Sequence, residues 1–400
     1  MVVDYRKLNE NLVSDSYPLP RTDVLFASLL GHCYYAALDL RNGYYNIPLD
    51  KESSKRSAFC TPGGLFEWTR VPFGLKTAPA HFQRSMALVL GDLRSQGCLT
   101  YLDDVLVMGK TPKEFLDRLS KVIRRFKEFN FILNMEKSNF GSKEIDYLGF
   151  HFSENGKEIT TERQEAIAKI PLPLKKKDLR RFLGIINYVK DFVANLSVEA
   201  APLYEMLSQK KKFLEWNQSR KKAFAKIKLL INNATSLSLY DPEAPLMLFT
   251  DASILGCGAV LKQFKEGKWF PIQYISKKFS AVQRRWATIE QEAYGIVYAV
   301  NTLRYYLLDK HFVINTDHRN LLYLRKNPSA KVIRWQIFLS QFDFTIKHVP
   351  GKENVEADVL SRGLDLPVVP AVVVRSRGRK IRRDKEQTQN AGTQKKEKLV

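Results

Sequence analysis

Two adjacent aspartates, Asp103 and Asp104, stand inside the apolar stretch C-L-T-Y-L-D-D-V-L-V-M-G, residues 98–109. Leu99–Leu102 and Val105–Met108 are strand-length apolar runs with only those two residues between them. That spacing predicts a tight β-hairpin with Asp103-Asp104 at its turn. An isolated Asp-Asp pair is ordinarily no more than a solvated turn. Here the run Y-Y-A-A-L delivers a further acid, Asp39, from the end of a second expected strand. If the two elements are neighbours in one sheet, three carboxylates converge, and like charges gathered away from water are costly unless a cation lies among them. A donor set of oxygens alone suits a hard divalent ion, Mg²⁺ above all.

A chain of 400 residues is too long for one hydrophobic core, so two to four domains are expected. The net charge of +22 calls for a polyanionic partner, nucleic acid being the commonest. Residues 371–400 hold ten Lys or Arg against three acids, so +15 of that excess belongs to the rest of the chain. The four cysteines, Cys33, Cys60, Cys98 and Cys257, show no C-x-x-C spacing, which excludes a zinc site built on that motif and fits a reducing compartment. No signal-like segment is seen and no apolar run approaches the ~20 residues of a membrane span, so a soluble chain without a membrane partner is expected.

The pattern along the chain is α+β and multidomain. Residues 1–158 mix strand-like runs (Tyr34–Leu40, Leu99–Met108, Tyr147–Phe152) with helical ones (Ala78–Leu93, Lys113–Phe129). Residues 159–240 are almost wholly helical, with lysine clusters at Lys175–Lys177 and Lys210–Lys212. Basic residues interleaved with aromatics there either track a nucleic-acid backbone or form the solvated face of amphipathic helices. Residues 241–365 return to strands around a long helix expected from Ala287 to Leu308. Residues 366–400, basic and without apolar periodicity, read as a linker or disordered tail.

A second acid set lies in that third region. L-M-L-F-T-D-A-S ends an apolar strand at Asp251, and F-V-I-N-T-D-H ends another at Asp317. The helix between them carries Glu290 and Glu292, with an apolar stripe of Ile289, Ile296, Val300, Leu303 and Leu307. At ~100° per residue Glu292 falls roughly 40° from the centre of the stripe and Glu290 roughly 120°, so Glu292 faces the sheet. A carboxylate there needs a partner, and the two strand-end aspartates can share a metal with it. Asp358, in H-V-P-G-K-E-N-V-E-A-D-V-L-S-R, adds a fourth acid, with His348 ten residues before it. Taken singly, a strand-end Asp is often a helix cap and a lone His structural.

The hairpin resembles the Y-x-D-D box of reverse transcriptases, and L-D-L-R-N-G-Y-Y-N-I is similar to the first acidic motif of that family. V-P-F-G-L-K-T-A-P-A-H-F-Q resembles its substrate-binding motif, and V-D-Y-R-K-L-N with Y-P-L-P resembles its opening. The set T-D-A-S, T-D-H and N-V-E-A-D-V-L-S-R resembles ribonuclease H. From Val2 to Arg362 the chain is similar to the reverse transcriptase/ribonuclease H region of a gypsy-class LTR retrotransposon Pol polyprotein.

The resemblance implies a right-hand polymerase with palm and partial fingers (1–158), a helical thumb and connector (159–240), and an α/β ribonuclease H-like domain (241–365). It implies an RNA-directed DNA polymerase that also degrades the RNA of RNA-DNA hybrids. Asp39, Asp103 and Asp104 would hold two Mg²⁺ about 3.5–4 Å apart, and Asp251, Glu292, Asp317 and Asp358 a second pair, with Mn²⁺ as a substitute. Tyr44 takes the aromatic position that favours deoxynucleotides; Phe73, Gly74 and Lys76 line the nucleotide and template pocket; Lys137 lies near the incoming nucleotide. Tyr147, Leu148 and Gly149 resemble the hairpin that grips the primer end. His348 would aid product release or shuttle a proton. The implied partners are an RNA template, a DNA primer, the RNA-DNA hybrid, deoxynucleoside triphosphates and other Pol products, in a cytoplasmic virus-like particle or the nucleus.

Two features depart from the family. Its fingers begin before V-V-D-Y-R, so basic residues that clamp the triphosphate are expected upstream of Met1, as in a slice of a polyprotein. Gly109 and Arg70 replace residues more usual there. Beside the polymerase reading stands a fragment active only as a ribonuclease H, or a relic that binds nucleic acid.

Overall fold

The computed structural model describes residues 3–209, 214–317 and 330–349. Short helices α1 (Arg6–Asn11) and α2 (Thr22–Ala27) lead into β1 (Tyr34–Asp39). Helix α3 (Lys51–Arg56) and the small hairpin of β2 (Phe59–Thr61) and β3 (Gly64–Phe66) follow. Next come α4 (Ala78–Leu90), the hairpin of β4 (Cys98–Tyr101) and β5 (Asp104–Gly109), α5 (Pro112–Glu128) and β6 (Asn139–Ser142). The first sheet has the strand order β4-β5-β1-β6.

Both faces of this sheet are covered, which is why V-L-V-M runs without polar alternation. Val105 and Val107 join one core with Phe82, Met86, Phe115 and Phe126 from α4 and α5, whereas Leu106 and Met108 join another on the opposite face. Helix α5 begins at a reciprocal cap. Thr111 Oγ1 accepts the Glu114 N–H at 3.2 Å and the Glu114 carboxylate accepts the Lys110 N–H at 2.7 Å. Phe115, Leu119, Val122 and Phe126 then recur at helical spacing on the buried face.

Strands β7 (Ile145–Tyr147), β8 (Phe150–Ser153) and β9 (Gly156–Ile159) form a three-stranded sheet. It shares a core with helices α6 (Thr161–Ala168), α7 (Lys176–Tyr188), α8 (Leu196–Glu199), α9 (Ala201–Ser208) and α10 (Gln218–Asn232), through Phe152, Ile167, Phe182, Leu203 and Ile227 among others. The last sheet contains β10 (Leu246–Ala252), β11 (Gly256–Lys265), β12 (Lys268–Lys278), β13 (Phe312–Thr316) and β14 (Phe344–His348), in the order β12-β11-β10-β13-β14. β10 pairs antiparallel with β11 and parallel with β13. Helix α11 (Thr288–Thr302) packs on β10 and β11, α12 (Arg304–Leu307) follows it, and α13 (Ala330–Leu339) packs on α11. Ser197 ties the helical region to β12 by two hydrogen bonds to Ser276, and Lys278 pairs with Glu205. Among the described residues no helix is long and apolar enough to cross a membrane.

Four local expectations are corrected. The hairpin turn lies one residue earlier than expected: Tyr101 pairs with Asp104, so Leu102 and Asp103 are its central residues. Gln83 holds that register, its Oε1 accepting the Leu102 N–H at 2.8 Å. The run Tyr147–Phe152 is not one strand but two, joined at Leu148-Gly149, both at positive φ (49° and 73°) as a tight hairpin requires. Helix α4 stops at Leu90, because Gly91 (φ 48°) leaves the helical region and a 3₁₀ turn, Gly91–Ser95, replaces the expected last turn. The helix expected to reach Leu308 breaks at Leu303, whose ψ of 12° re-aims Tyr306 and Leu307 into the core.

Gly109 has a physical reason. A Cβ there would lie 2.6 Å from the backbone N and Cα of Phe115, so α5 can cross the end of β5 only over glycine.

Candidate active sites

Asp39 is the last residue of β1 and the register partner of Asp104, the first residue of β5. Residues directly opposed in an antiparallel pair have Cβ atoms ~4.5–5.5 Å apart, so the two acids face each other at the open end of an apolar ladder. The Asp104 carboxyl is pushed above the usual carboxylate range, first by desolvation, then by the charges of Asp103 and Asp39. Asp103 occupies the turn itself, beside Leu102 at φ 55°, a conformation costly for a branched side chain. Two contacts hold that turn: Gln83, 1% exposed, takes the Leu102 amide with Oε1 and donates from Nε2 to Thr100 Oγ1 at 3.3 Å.

The segment carrying Lys137 is fastened to Asp39 on both sides. The Asp39 N–H donates to Ser138 Oγ at 3.1 Å, and its carbonyl accepts the Asn134 N–H at 2.9 Å. Lys137 itself is exposed. Tyr44 lies in the short 3₁₀ turn Gly43–Asn46 just after β1, its ring 5.0 Å from that of Phe73 and 5.4 Å from that of Phe82. Burial first, and then the Asp103 charge, raise its phenol pKa. Gly74, at φ 100°, and Lys76 are exposed, and Asn9 clamps their loop: its Nδ2 donates to the Gly74 carbonyl at 2.8 Å and its Oδ1 accepts the Lys76 N–H at 2.8 Å.

Tyr147 is buried close to Asp104, and burial followed by that charge drives its phenol pKa far up. The Leu148-Gly149 turn is braced by Tyr188, whose hydroxyl donates to the Leu148 carbonyl at 2.6 Å. Beside it runs a groove of about 1030 Å³ whose walls include Arg163, Ile170, Leu174, Lys175 and Arg181.

The second acid set closes more tightly. Asp251, Glu292 and Asp317 each offer an oxygen, and these oxygens all lie within 4.8 Å of one another; among the described residues no other such group of three occurs. The parallel pairing explains it: Phe249 is in register with Asn315, so the two Thr-Asp ends arrive side by side. Helix α11 packs against this end of the sheet at Gly295, where a Cβ would make only ordinary contact, 3.4 Å from Cys257 Cβ. Glu292, one turn earlier, is 4% exposed, and Asp251 is 3% exposed. Glu290 turns away and pairs with Lys331 at 2.9 Å. Asp317 Oδ1 is buried without a hydrogen-bond partner among the described residues, an orphaned acceptor of the kind a hard cation satisfies. His348, paired with Thr316 across β13–β14, lies with Nε2 3.0 Å from the Asp317 carbonyl oxygen. Asp358 lies outside the described residues.

The residue-level reading missed Gln83, Asn9 and Ser138. Gln83 had a signal, being a polar residue on the α4 face that buries Phe82, Met86 and Leu90. Asn9 and Ser138 had none, because their partners are backbone groups far away in sequence.

Residues 1–152 match the family model "Reverse transcriptase (RNA-dependent DNA polymerase)", and residues 241–342 match "RNase H-like domain found in reverse transcriptase". The chain is 38% identical over 365 residues to the retrovirus-related Pol polyprotein from transposon 297 of Drosophila melanogaster, covering 90% of this chain and 34% of that one. It thus spans about a third of that curated relative. Among solved structures it is similar to the foamy viral protease-reverse transcriptase dRH in complex with ds DNA (TM-score 0.78, 25% identity, 87% of this chain and 62% of that one). It is also similar to the foamy viral protease-reverse transcriptase in complex with RNA/DNA hybrid (TM-score 0.71, 26% identity, 94% of this chain and 50% of that one). The chain carries a reverse transcriptase domain followed by a ribonuclease H-like domain of the kind found in reverse transcriptases, and its homologues are Pol polyproteins of transposons.

Proposed function

We propose that this chain is the RNA-directed DNA polymerase and ribonuclease H of a gypsy-class retrotransposon Pol polyprotein, working in a cytoplasmic virus-like particle or the nucleus. What carries the reading is that both acid sets converge in space, Asp39 opposite Asp104 and Asp251 beside Glu292 and Asp317. The foamy viral neighbours hold duplex DNA and an RNA/DNA hybrid, which supports the same ligands for a chain of charge +22.

In the polymerase site Asp39, Asp103 and Asp104 would hold two Mg²⁺ ions, and in the nuclease site Asp251, Glu292 and Asp317 would do so with Asp358. Bound there, such ions would supply charge neutralisation at phosphate and a lowered pKa for the attacking hydroxyl or water. The chain's own residues do the rest. Gln83 holds the turn that aims Asp103. Tyr44 excludes the 2′-hydroxyl, Phe73, Gly74 and Lys76 line the nucleotide and template pocket, and Lys137 meets the incoming nucleotide. The Tyr147–Gly149 turn grips the primer end, and the thumb and connector, residues 159–240, hold the duplex. His348 braces the Asp317 backbone and acts in proton transfer or product release. Residues 1–158 make palm and partial fingers, 241–365 the ribonuclease H domain and 366–400 a basic tail.

A second reading, a chain active only as a ribonuclease H, is favoured by the tighter closure of the C-terminal acids. One experiment separates them: primer extension and hybrid cleavage are measured with Mg²⁺ for wild type, Asp103→Asn and Asp251→Asn. Extension lost only in Asp103→Asn and cleavage lost only in Asp251→Asn is the expected result. Cleavage without extension by wild type selects the second reading.

A further inference from the structure

We infer that Asn46 is the positioning residue that sets sugar discrimination in the polymerase site, by locking the turn that presents Tyr44. The inference rests on the polymerase reading above and names the group that tunes its substrate choice.

Asn46 is 8% exposed, and its side-chain amide is engaged at both ends. Nδ2 donates to the Arg41 carbonyl at 3.2 Å and the Gly43 carbonyl at 2.9 Å, while Oδ1 accepts the Ile132 N–H at 3.0 Å. Two carbonyls on one side and an N–H on the other also fix which way the amide points. Arg70, one of the two residues that depart from the family pattern, donates to the Asn46 backbone carbonyl at 3.1 Å. Between these anchors the chain has little freedom. Asn42 sits at φ 51°, a single 3₁₀ turn follows, and a Cβ on Gly43 would lie 3.3 Å from both Asp103 Cβ and Phe82 Cζ.

The turn is therefore pressed against the catalytic hairpin and pinned from behind by one side chain. A ring that rejects a substrate for a single hydroxyl must keep its position to within a fraction of an ångström, since small misplacements in a site have large kinetic effects. Truncating Asn46 removes the one side chain that bridges the Arg41 and Gly43 carbonyls to the Ile132 N–H, and the turn loses that anchor. Tyr44 then retreats and the gate opens.

The test is single-nucleotide extension of a primed DNA template by the full chain with Mg²⁺, using dATP and ATP separately. Asn46→Ala, and Asn46→Asp, whose carboxylate repels the two carbonyls, are compared with wild type and Tyr44→Ala. The expected result is a ~10-fold fall in the dATP:ATP ratio of kcat/KM, mainly from a lower KM for ATP, with kcat for dATP within ~3-fold of wild type. Tyr44→Ala gives a fall in the same direction. An unchanged ratio, or an equal loss with both nucleotides, overturns the inference. Should the Asn46 variants not fold, Arg70→Met removes only the bond to the backbone carbonyl and is expected to move the ratio ~3-fold the same way; no movement there also overturns it. A wild-type chain that extends with neither nucleotide defeats the polymerase reading and this inference with it, whereas active variants with the wild-type ratio defeat the inference alone.

Discussion

Asp39 and Asp104 are register partners at the last rung of the β1–β5 ladder, two carboxylates facing each other where an apolar strand pair opens to solvent. Such an arrangement is unfavourable in the metal-free chain, and its sign with pH follows. The Asp104 pKa is raised in the fold, so the folded chain binds that proton more tightly than the unfolded chain does. Its stabilising contribution is present below the ordinary carboxylate pKa and lost as pH rises through the folded value. Thermal melts of metal-free protein should therefore show Asp104→Asn raising the midpoint at pH 7, by the equivalent of ~0.2–1 kcal/mol for relieved like-charge opposition. The gain should vanish at pH 4. Mg²⁺ should raise the wild-type midpoint at pH 7 and raise that of Asp104→Asn less.

Gln83 links α4 to the hairpin turn, its Oε1 accepting the Leu102 N–H at 2.8 Å. Gln83→Ala should remove this part-buried bond, costing ~0.5–1.5 kcal/mol. The turn that carries Asp103 would lose its aim. In primer extension, kcat should fall ~10–100-fold with KM for the nucleotide little changed.

Gly109→Ala should destabilise the first domain by ~1–3 kcal/mol, because the added methyl meets Phe115 backbone at 2.6 Å and α5 must move. Limited proteolysis and a melt report it. Hybrid cleavage by the same preparation should stay near wild type, since the acids proposed for it, Asp251 and Asp317, stand at the ends of strands in a different sheet.

Glu290 and Glu292, two positions apart on α11, should respond oppositely. Glu292→Gln removes a buried member of the acid trio and should lower hybrid cleavage at least ~100-fold. Glu290→Gln breaks only a partly exposed ion pair to Lys331, worth ~0.2–1 kcal/mol, and should leave cleavage within a factor of two or so. Equal loss in both would remove Glu292 from its assigned place.

Much of both candidate sites was legible in the order of residues. The strand-end aspartates were readable because apolar runs of strand length end on them, and Glu292 was separable from Glu290 because helical periodicity alone decides which carboxylate meets the sheet. The family resemblance then supplied roles. Long-range hydrogen bonds were not readable. Asn9 reaches residues 74 and 76, Asn46 reaches 132, and Ser138 reaches 39. None of these pairings has a periodic or compositional signature, since each depends on which loops the two sheets bring together. The hairpin register was also beyond the sequence: a two-residue turn at Leu102-Asp103 and one at Asp103-Asp104 bury the same apolar faces, because the strand period is two. Gln83, delivered by α4, holds the first of these, and tertiary packing at Phe115 dictates the glycine at position 109. The sequence determined which acids exist and which elements carry them. The tertiary structure decided how closely they stand and what holds them there, because those depend on contacts between segments that no local pattern encodes.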